Sequence, residues 1–308
     1  MMLKQVIDMF EVLDRPDASG KLVKELFDEF SVENFEIKTV SGEKGSTDFV
    51  KILIPGEEGK SKGGSYPTLG IIGRLGGLGA RPEMMGFVSD GDGALAALSA
   101  GLKLAKMNSL GDVLKGDVII STHICPDAPT REHKPVPFMD SPVGIAVMND
   151  LEVDEEMDAI VAIDTTKGNN IITNRGISMS PTVKEGYILR VSEDLLNIMM
   201  RVTGKIPNVF ALAQQDITPY GNDLYHLNSI LQPAVATKSP VVGLALATEV
   251  AVAGCATGAT HLVDIELASR FSVEVAKDFT NKICDFYDKE EFQKIINLYG
   301  EMNKFQKK

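Results

Sequence analysis

The sequence predicts an α/β fold: a three-layer α/β/α sandwich around a mostly parallel central sheet, in one domain over residues 1–308. Three observations predict it. Apolar runs rich in Val and Ile recur at 68–72, 118–122, 157–163 and 241–247, and runs apolar at consecutive positions read as strands covered on both faces. Each is followed by a polar loop, and most then pass into helical periodicity, the rhythm that lays helices over a parallel sheet. The third is size, because 308 residues at 44% apolar composition can fill a large core.

Taken in order, Leu3, Val6, Ile7, Phe10 and Leu13 fall at helical spacing, Arg15-Pro16-Asp17 breaks the pattern, and Leu22, Leu26, Phe27 and Phe30 resume it. Phe35 to Val40 and Asp48 to Ile54 alternate, which predicts a hairpin pair at a sheet edge. The Gly, Ser and Lys loop over 56–65 contains nothing that demands chemistry. The strand at 68–72 ends in Gly73-Arg74-Leu75-Gly76-Gly77-Leu78-Gly79. That glycine density invites a dinucleotide reading, but the spacing is not GxGxxG, and Pro82 and Gly86 stand where a long helix would begin. Glycines packed against a neighbouring backbone or lining a cleft are the reading preferred.

Phe87-Val88-Ser89-Asp90-Gly91-Asp92-Gly93-Ala94 then opens a helix over 94–107, with Ser89 and Asp90 as N-cap residue types. The bland role for Asp90 is that cap, and for Asp92 a favourable interaction with the helix dipole. The strand at 118–122 opens into His123-Ile124-Cys125-Pro126-Asp127 and on to His133, which places two of the four histidines beside a cysteine and acids. A short helix or strand follows at 142–150. The strand at 157–163 ends in Asp164-Thr165-Thr166-Lys167. Residues 171–189 read as irregular with a strand pair, 193–203 as a helix, 209–213 as a strand, and Asn222 to Leu231 as a helix. The last buried strand, 241–247, leads to Glu249 and a small-residue loop ending at His261, then a helix over 264–286 and a charged helical tail.

Composition narrows the function. A formal net charge of −12 with no basic patch argues against nucleic acid and anionic membranes as partners. No apolar run has the length of a membrane span, and residues 1–5 lead into an acidic amphipathic pattern rather than a signal peptide, so a cytoplasmic location is expected. Three cysteines without paired spacing indicate neither a disulfide framework nor a zinc ribbon.

Ligands of such sheets collect at the carboxyl ends of the strands, and those ends carry Arg74, Asp90, His123 with Asp127, Asp164, Asp223 with His226, and Glu249 with His261. Carboxylates and imidazoles from separate strands suit a divalent metal that lowers the pKa of bound water. Cys125, activated by His123 or His133, is the rival as a thiolate nucleophile. A serine-hydrolase elbow is absent.

In layout, residues 66–280 resemble the co-catalytic zinc aminopeptidase and deacylase superfamily. Val88 to Ala94 is similar to its bridging-Asp segment, Ala162 to Thr166 to its later Asp-ligand segment, and Asp117 to Asp127 to the strand before its Glu-Glu pair, which would place Pro126 at the catalytic base and Asp127 at a ligand position. Arg74-Leu75-Gly76 stands where His-x-Asp would be, a proline cannot act as a base, and the terminal His position falls on Gly254 or Thr257 with His261 nearby. The chain also resembles a bacterial family known only as a domain of unknown function. The resemblance implies a metal-dependent hydrolase-like protein acting on a small amide or short peptide through a metal-activated water. Its expected metal is zinc, with Asp90, His123, Asp127 and Asp164 as ligands and His226 and His261 in reserve. His133 or Glu249 would serve as base, and Arg74 would hold a substrate carboxylate. The alternatives are a non-catalytic descendant binding a small anionic metabolite through Arg74 and the glycine loop, and a metal-free hydrolase using Cys125. A homodimer is the expected assembly.

Overall fold

The computed structural model describes residues 1–306 apart from 75, 76, 135, 227, 228 and 254. Two amphipathic helices come first, α1 (Leu3–Leu13) and α2 (Gly20–Asp28). Ser19 caps α2 by accepting from the Leu22 amide. The alternating stretches form the expected edge hairpin, β1 (Phe35–Gly42) antiparallel to β2 (Gly45–Ile54). Asp117 pins the following loop by accepting from the Gly56 and Ser61 amides and the Ser61 hydroxyl, all at 2.8 Å.

The remaining elements are β3 (Leu69–Gly73), α3 (Asp92–Ser109), β4 (Val118–Ile124), a two-residue pair β5 (Thr130–Arg131) and β6 (Phe138–Met139), α4 (Ile145–Glu152) and β7 (Ala159–Lys167). After them come β8 (Gly176–Met179), β9 (Val183–Lys184), β10 (Tyr187–Ile188), α5 (Glu193–Thr203), β11 (Val241–Thr248), α6 (Leu262–Thr280) and α7 (Lys289–Tyr299). The central sheet runs β1-β2-β4-β3-β7-β11-β9-β10, with β8 also on β11. Its inner strands β4, β3, β7 and β11 are parallel, whereas β2, β8 and β9 join them antiparallel, so the sheet is mixed. Among the described residues no helix is long and apolar enough to cross a membrane.

Alternation along the strands divides the core. Val118 and Ile120 of β4, Ile71 of β3 and Val161 and Ile163 of β7 meet α1, α3, α5 and α6 on one face. Ile119, Ile72, Ile160 and Ala162 turn to the other face, which is covered by residues of single-turn 3₁₀ segments at 214–217 and 232–235 and their flanking loops. Among the described residues α4 is the one α-helix there, lying across β2 and β4. The expected second helical layer is therefore short 3₁₀ turns and loop with a single helix. Two local expectations explain the difference. The stretch 209–213 forms only an isolated bridge of Val209 to Met179, because Ser180 already turns to bond Gly243 on β11. No helix forms among the described residues of 222–231, where Gly221 (φ 83°) and Asp223 (φ 61°) take left-handed backbone that an α-helix cannot contain. The predicted last helix ends early, at Thr280, with Lys282 at φ 60°.

α3 is the spine of the helical layer, and small residues let it sit close to the sheet. A Cβ on Gly93 would lie 2.5 Å from the Ile163 carbonyl oxygen and 2.9 Å from that of Arg74, and a Cβ on Gly73 would lie 2.7 Å from the Ala94 Cα. These neighbours are backbone atoms of a strand and a helix, so they cannot yield cheaply. Gly93→Ala should lower unfolding free energy by about 1–3 kcal/mol, as overpacking does, measured by urea denaturation. An unchanged midpoint would show that the strand ends are free to separate.

Candidate active site

A cavity of about 630 Å³ opens where the parallel strands end. His123 and Cys125 come from β4 and the residue beyond it, Asp164 to Lys167 from the end of β7, and Asp90 from the turn that precedes α3. Arg131, His133, Phe138 and Met139 on the β5–β6 arm form one wall, and Tyr220, Tyr225, His226 and Ser229 face them. Gly77, from the glycine-rich stretch, also lines the space. Its neighbours continue the pairing of β3 and β4, with Leu78 N donating to Cys125 O (2.9 Å) and Ala128 N to Gly79 O (2.9 Å). Glycines are needed because a Cβ on Gly79 would meet the Pro126 carbonyl oxygen at 2.4 Å. This part of the loop serves packing, as the spacing suggested, while Leu75 and Gly76 lie outside the described residues.

Asp90 does not cap the helix. The N-cap is Gly91, with no side-chain bond, and Asp92 follows in the first turn. Asp92 is buried and accepts from Lys167 Nζ (2.8 Å) and the Thr260 hydroxyl (2.8 Å). Lys167 is itself nearly buried, so this pair ties the end of β7 to the start of α3. The Thr165 hydroxyl adds a bond to the Ser89 carbonyl at 2.6 Å. Asp90 is thus left facing the cavity with the Cys255 thiol 3.8 Å from Oδ2.

Burial first, then the neighbouring charges of Asp164 and Asp92, push Asp90 up to about 7. Burial also raises Asp164, to about 6, against the bond from Ser229 and the positive charge of Arg74. Asp164 accepts from Ser229 Oγ (2.8 Å) and the Thr165 amide (2.7 Å). Asp90 therefore keeps its proton to about pH 7 beside an Asp164 that gives its own up about a unit lower.

His123 is 2% exposed, packs on the Phe49 ring, and has Nδ1 2.7 Å from Glu152 Oε1. The other Glu152 oxygen is ion-paired with Arg74 Nη1. A carboxylate held by a guanidinium is an acceptor, so Nδ1–H donates to Glu152 and Nε2 points away from it. Nε2 has no hydrogen-bond partner among the described residues. Glu152 was invisible to pattern reading because it closes α4 as an ordinary helix acid would. It is buried because that helix lies across β4, with the Ser121 hydroxyl on the Glu152 carbonyl at 2.6 Å. The one signal is on α4 itself, where Asn149 and Glu152, three apart, are buried while Val147 is exposed.

Of the seven residues singled out, Asp90, His123, Asp164 and His133 line the cavity, and Asp127, Glu249 and Arg74 do not. Asp127 is exposed, bridged to Ala80 beyond β4, and Glu249 is exposed past the end of β11. Arg74 is wholly buried with its guanidinium on Glu152, so it cannot hold a substrate carboxylate or an anionic metabolite at the cavity surface. His133 stacks on Phe138 (5.8 Å) at the exposed rim, and His226, stacked on Tyr220 (4.6 Å), has Nδ1 on the Leu224 carbonyl at 2.8 Å. His261 precedes α6, outside the cavity.

Metal ligation needs at least three fixed donors. Among the described residues no three His, Cys, Asp or Glu side chains are grouped so as to hold an ion. Asp127 lies outside the cavity, Nδ1 of His123 faces Glu152, and each Asp164 oxygen accepts a hydrogen bond. The set Asp90, His123, Asp127 and Asp164 does not fit a metal in this arrangement. Nor is Cys125 set up as a nucleophile, since burial and then the Asp127 charge push its thiol up to about 12. Burial does the same for Cys255 and Cys284. Iodoacetamide at pH 8 should therefore label all three slowly in the folded protein. Rapid selective labelling of Cys125 would restore the thiolate reading.

The carboxyl pair makes a second expectation. Asp90 binds its proton more tightly folded (about 7) than at its ordinary 3.8. The resulting stabilisation is complete below about pH 4 and is lost as pH rises through 7. Asp90→Asn, which stays neutral, should flatten the fall in Tm between pH 4 and 8 and raise stability at pH 8 by on the order of 2 kcal/mol. A variant as pH-sensitive as the parent protein would place the titration elsewhere.

The family described as protein of unknown function (DUF1177) matches residues 38–308 of the chain. No curated protein matches it.

Proposed function

Because the chain belongs to the DUF1177 family, whose description names no activity, we propose a function from the site alone: acid–base hydrolysis of a small amide or peptide-like substrate. One observation carries it. An imidazole oriented by a buried carboxylate and a carboxyl that keeps its proton to about pH 7 line the same cavity. An oriented imidazole with Nε2 free, beside a carboxyl that still carries its proton, suits a base and an acid working together. A volume of about 630 Å³ is the size of a small-molecule site. The layout resemblance to zinc hydrolases supports hydrolysis as the reaction class, while the donor geometry supports doing it with side chains.

In this reading a water between His123 and the substrate carbonyl loses a proton to Nε2 as its oxygen adds to the carbonyl carbon. Glu152 stabilises the imidazolium that forms, as a carboxylate behind a catalytic histidine does. Asp90 delivers its proton to the departing nitrogen as the carbon–nitrogen bond breaks, leaving acid and amine. Asp164 raises the proton affinity of Asp90 by its charge. The Thr166 hydroxyl, on a lining residue, has no partner among the described residues and would turn to the substrate.

A panel of small amides and dipeptides screened against the purified protein tests this. For any substrate found, His123→Gln and Asp90→Asn should each reduce kcat by 10²-fold or more. The rate should fall as pH rises above about 7, where Asp90 loses its proton. Hydrolysis that survives both substitutions, or a panel wholly untouched, would sink the proposal.

A further inference from the structure

Two of the donors expected to hold a metal, His123 and Asp164, answer to an arginine instead, one through Glu152 and one through its charge. Arg74 leaves the end of β3, where its amide bonds the Ile163 carbonyl of β7 at 2.8 Å, and carries its side chain into the interior with no exposure. Nη1 is bonded to Glu152 Oε2, Glu152 Oε1 is 2.7 Å from His123 Nδ1, and the Arg74 charge acts on Asp164. Beside this, Lys167 holds Asp92. Nε and Nη2 of Arg74 have no hydrogen-bond partner among the described residues. An unsatisfied guanidinium at zero exposure is costly, and it persists here because the carboxylates around it would be costlier without it.

We infer that the Arg74 guanidinium takes the place of a divalent ion in this site. It supplies fixed positive charge to Glu152 and Asp164 and, through Glu152, sets the orientation of His123, so that the carboxylates have no vacancy for a metal. Arg74 is thus a positioning residue, acting through Glu152 and never touching substrate. The corollary concerns a variant: an imidazole at position 74, together with Glu152 and His123, would supply three nitrogen and oxygen donors where the guanidinium stood, of the kind zinc takes. This inference deepens the hydrolytic reading, but its test measures ion binding rather than turnover, so the two can fail separately.

The full-length protein and Arg74→His are each dialysed against excess zinc or manganese chloride and then desalted, and metal per chain is measured by mass spectrometry, with melting followed with and without ion. The unsubstituted protein should retain far less than one ion per chain and show no shift in Tm. Arg74→His should approach one zinc per chain and gain Tm on adding it. Stoichiometric binding by the unsubstituted protein that Asp164→Asn abolishes would overturn the inference, as would a folded Arg74→His variant that takes up no zinc. Should that variant fail to fold, the ¹⁵N ring shifts of His123 in the unsubstituted protein decide. A protonated Nδ1 unmoved by zinc supports the assignment, and a zinc-dependent shift at either ring nitrogen refutes it.

Discussion

The backbone-to-backbone contact between the first turn of α3 and the ends of β3 and β7 is the constraint on which the rest of the site depends. Gly73 and Gly93 have no side chains: the Ile163 and Arg74 carbonyls occupy the space a Cβ on Gly93 would need, and the Gly93–Ala94 backbone that of a Cβ on Gly73. That approach brings the turn at 89–91 and the end of β7 together, so that Thr165 reaches the Ser89 carbonyl and Lys167 reaches Asp92. Asp90 then has nowhere to go but toward the cavity, beside the charge of Asp164. The proximity that raises its proton affinity follows from packing, and the chemistry of the pair follows from the proximity.

Burying so many charges opposes folding unless each is answered locally. Two cations, Arg74 and Lys167, answer Glu152 and Asp92 by direct contact, and hydrogen bonds from Ser229 and Thr165 answer Asp164. Among the described residues, two Arg74 nitrogens and the Thr166 hydroxyl have no partner here, and neither do a few buried polar atoms elsewhere such as Ser99 Oγ and Arg270 Nε. A core selected only for stability would fill such a place with apolar side chains.

Much of the fold could be read from the chain because its signals are local. Alternation at 35–40 and 48–54 marked the edge hairpin, and continuous Val and Ile runs marked β3, β4, β7 and β11. The layer over the second face was misread, since the segments at 209–213 and 222–231 have apolar residues in plausible periods. Their conformation answers instead to backbone partners on β11 and to left-handed residues at 221 and 223. The asymmetry of the sheet's covering comes from such long-range pairing.

The sequence by itself determined which residues could do chemistry and at which strand ends they stand, because strand and loop propensities act over a few residues. Asp90, His123 and Asp164 were legible in that way. Only the tertiary structure decided which of them meet. It set Asp127 and Glu249 aside, turned Arg74 inward, and recruited Glu152 from a helix that carries no motif. The physical reason is that proton affinity and ion pairing depend on burial and on charges a few ångströms away, and those neighbours come from positions far apart along the chain.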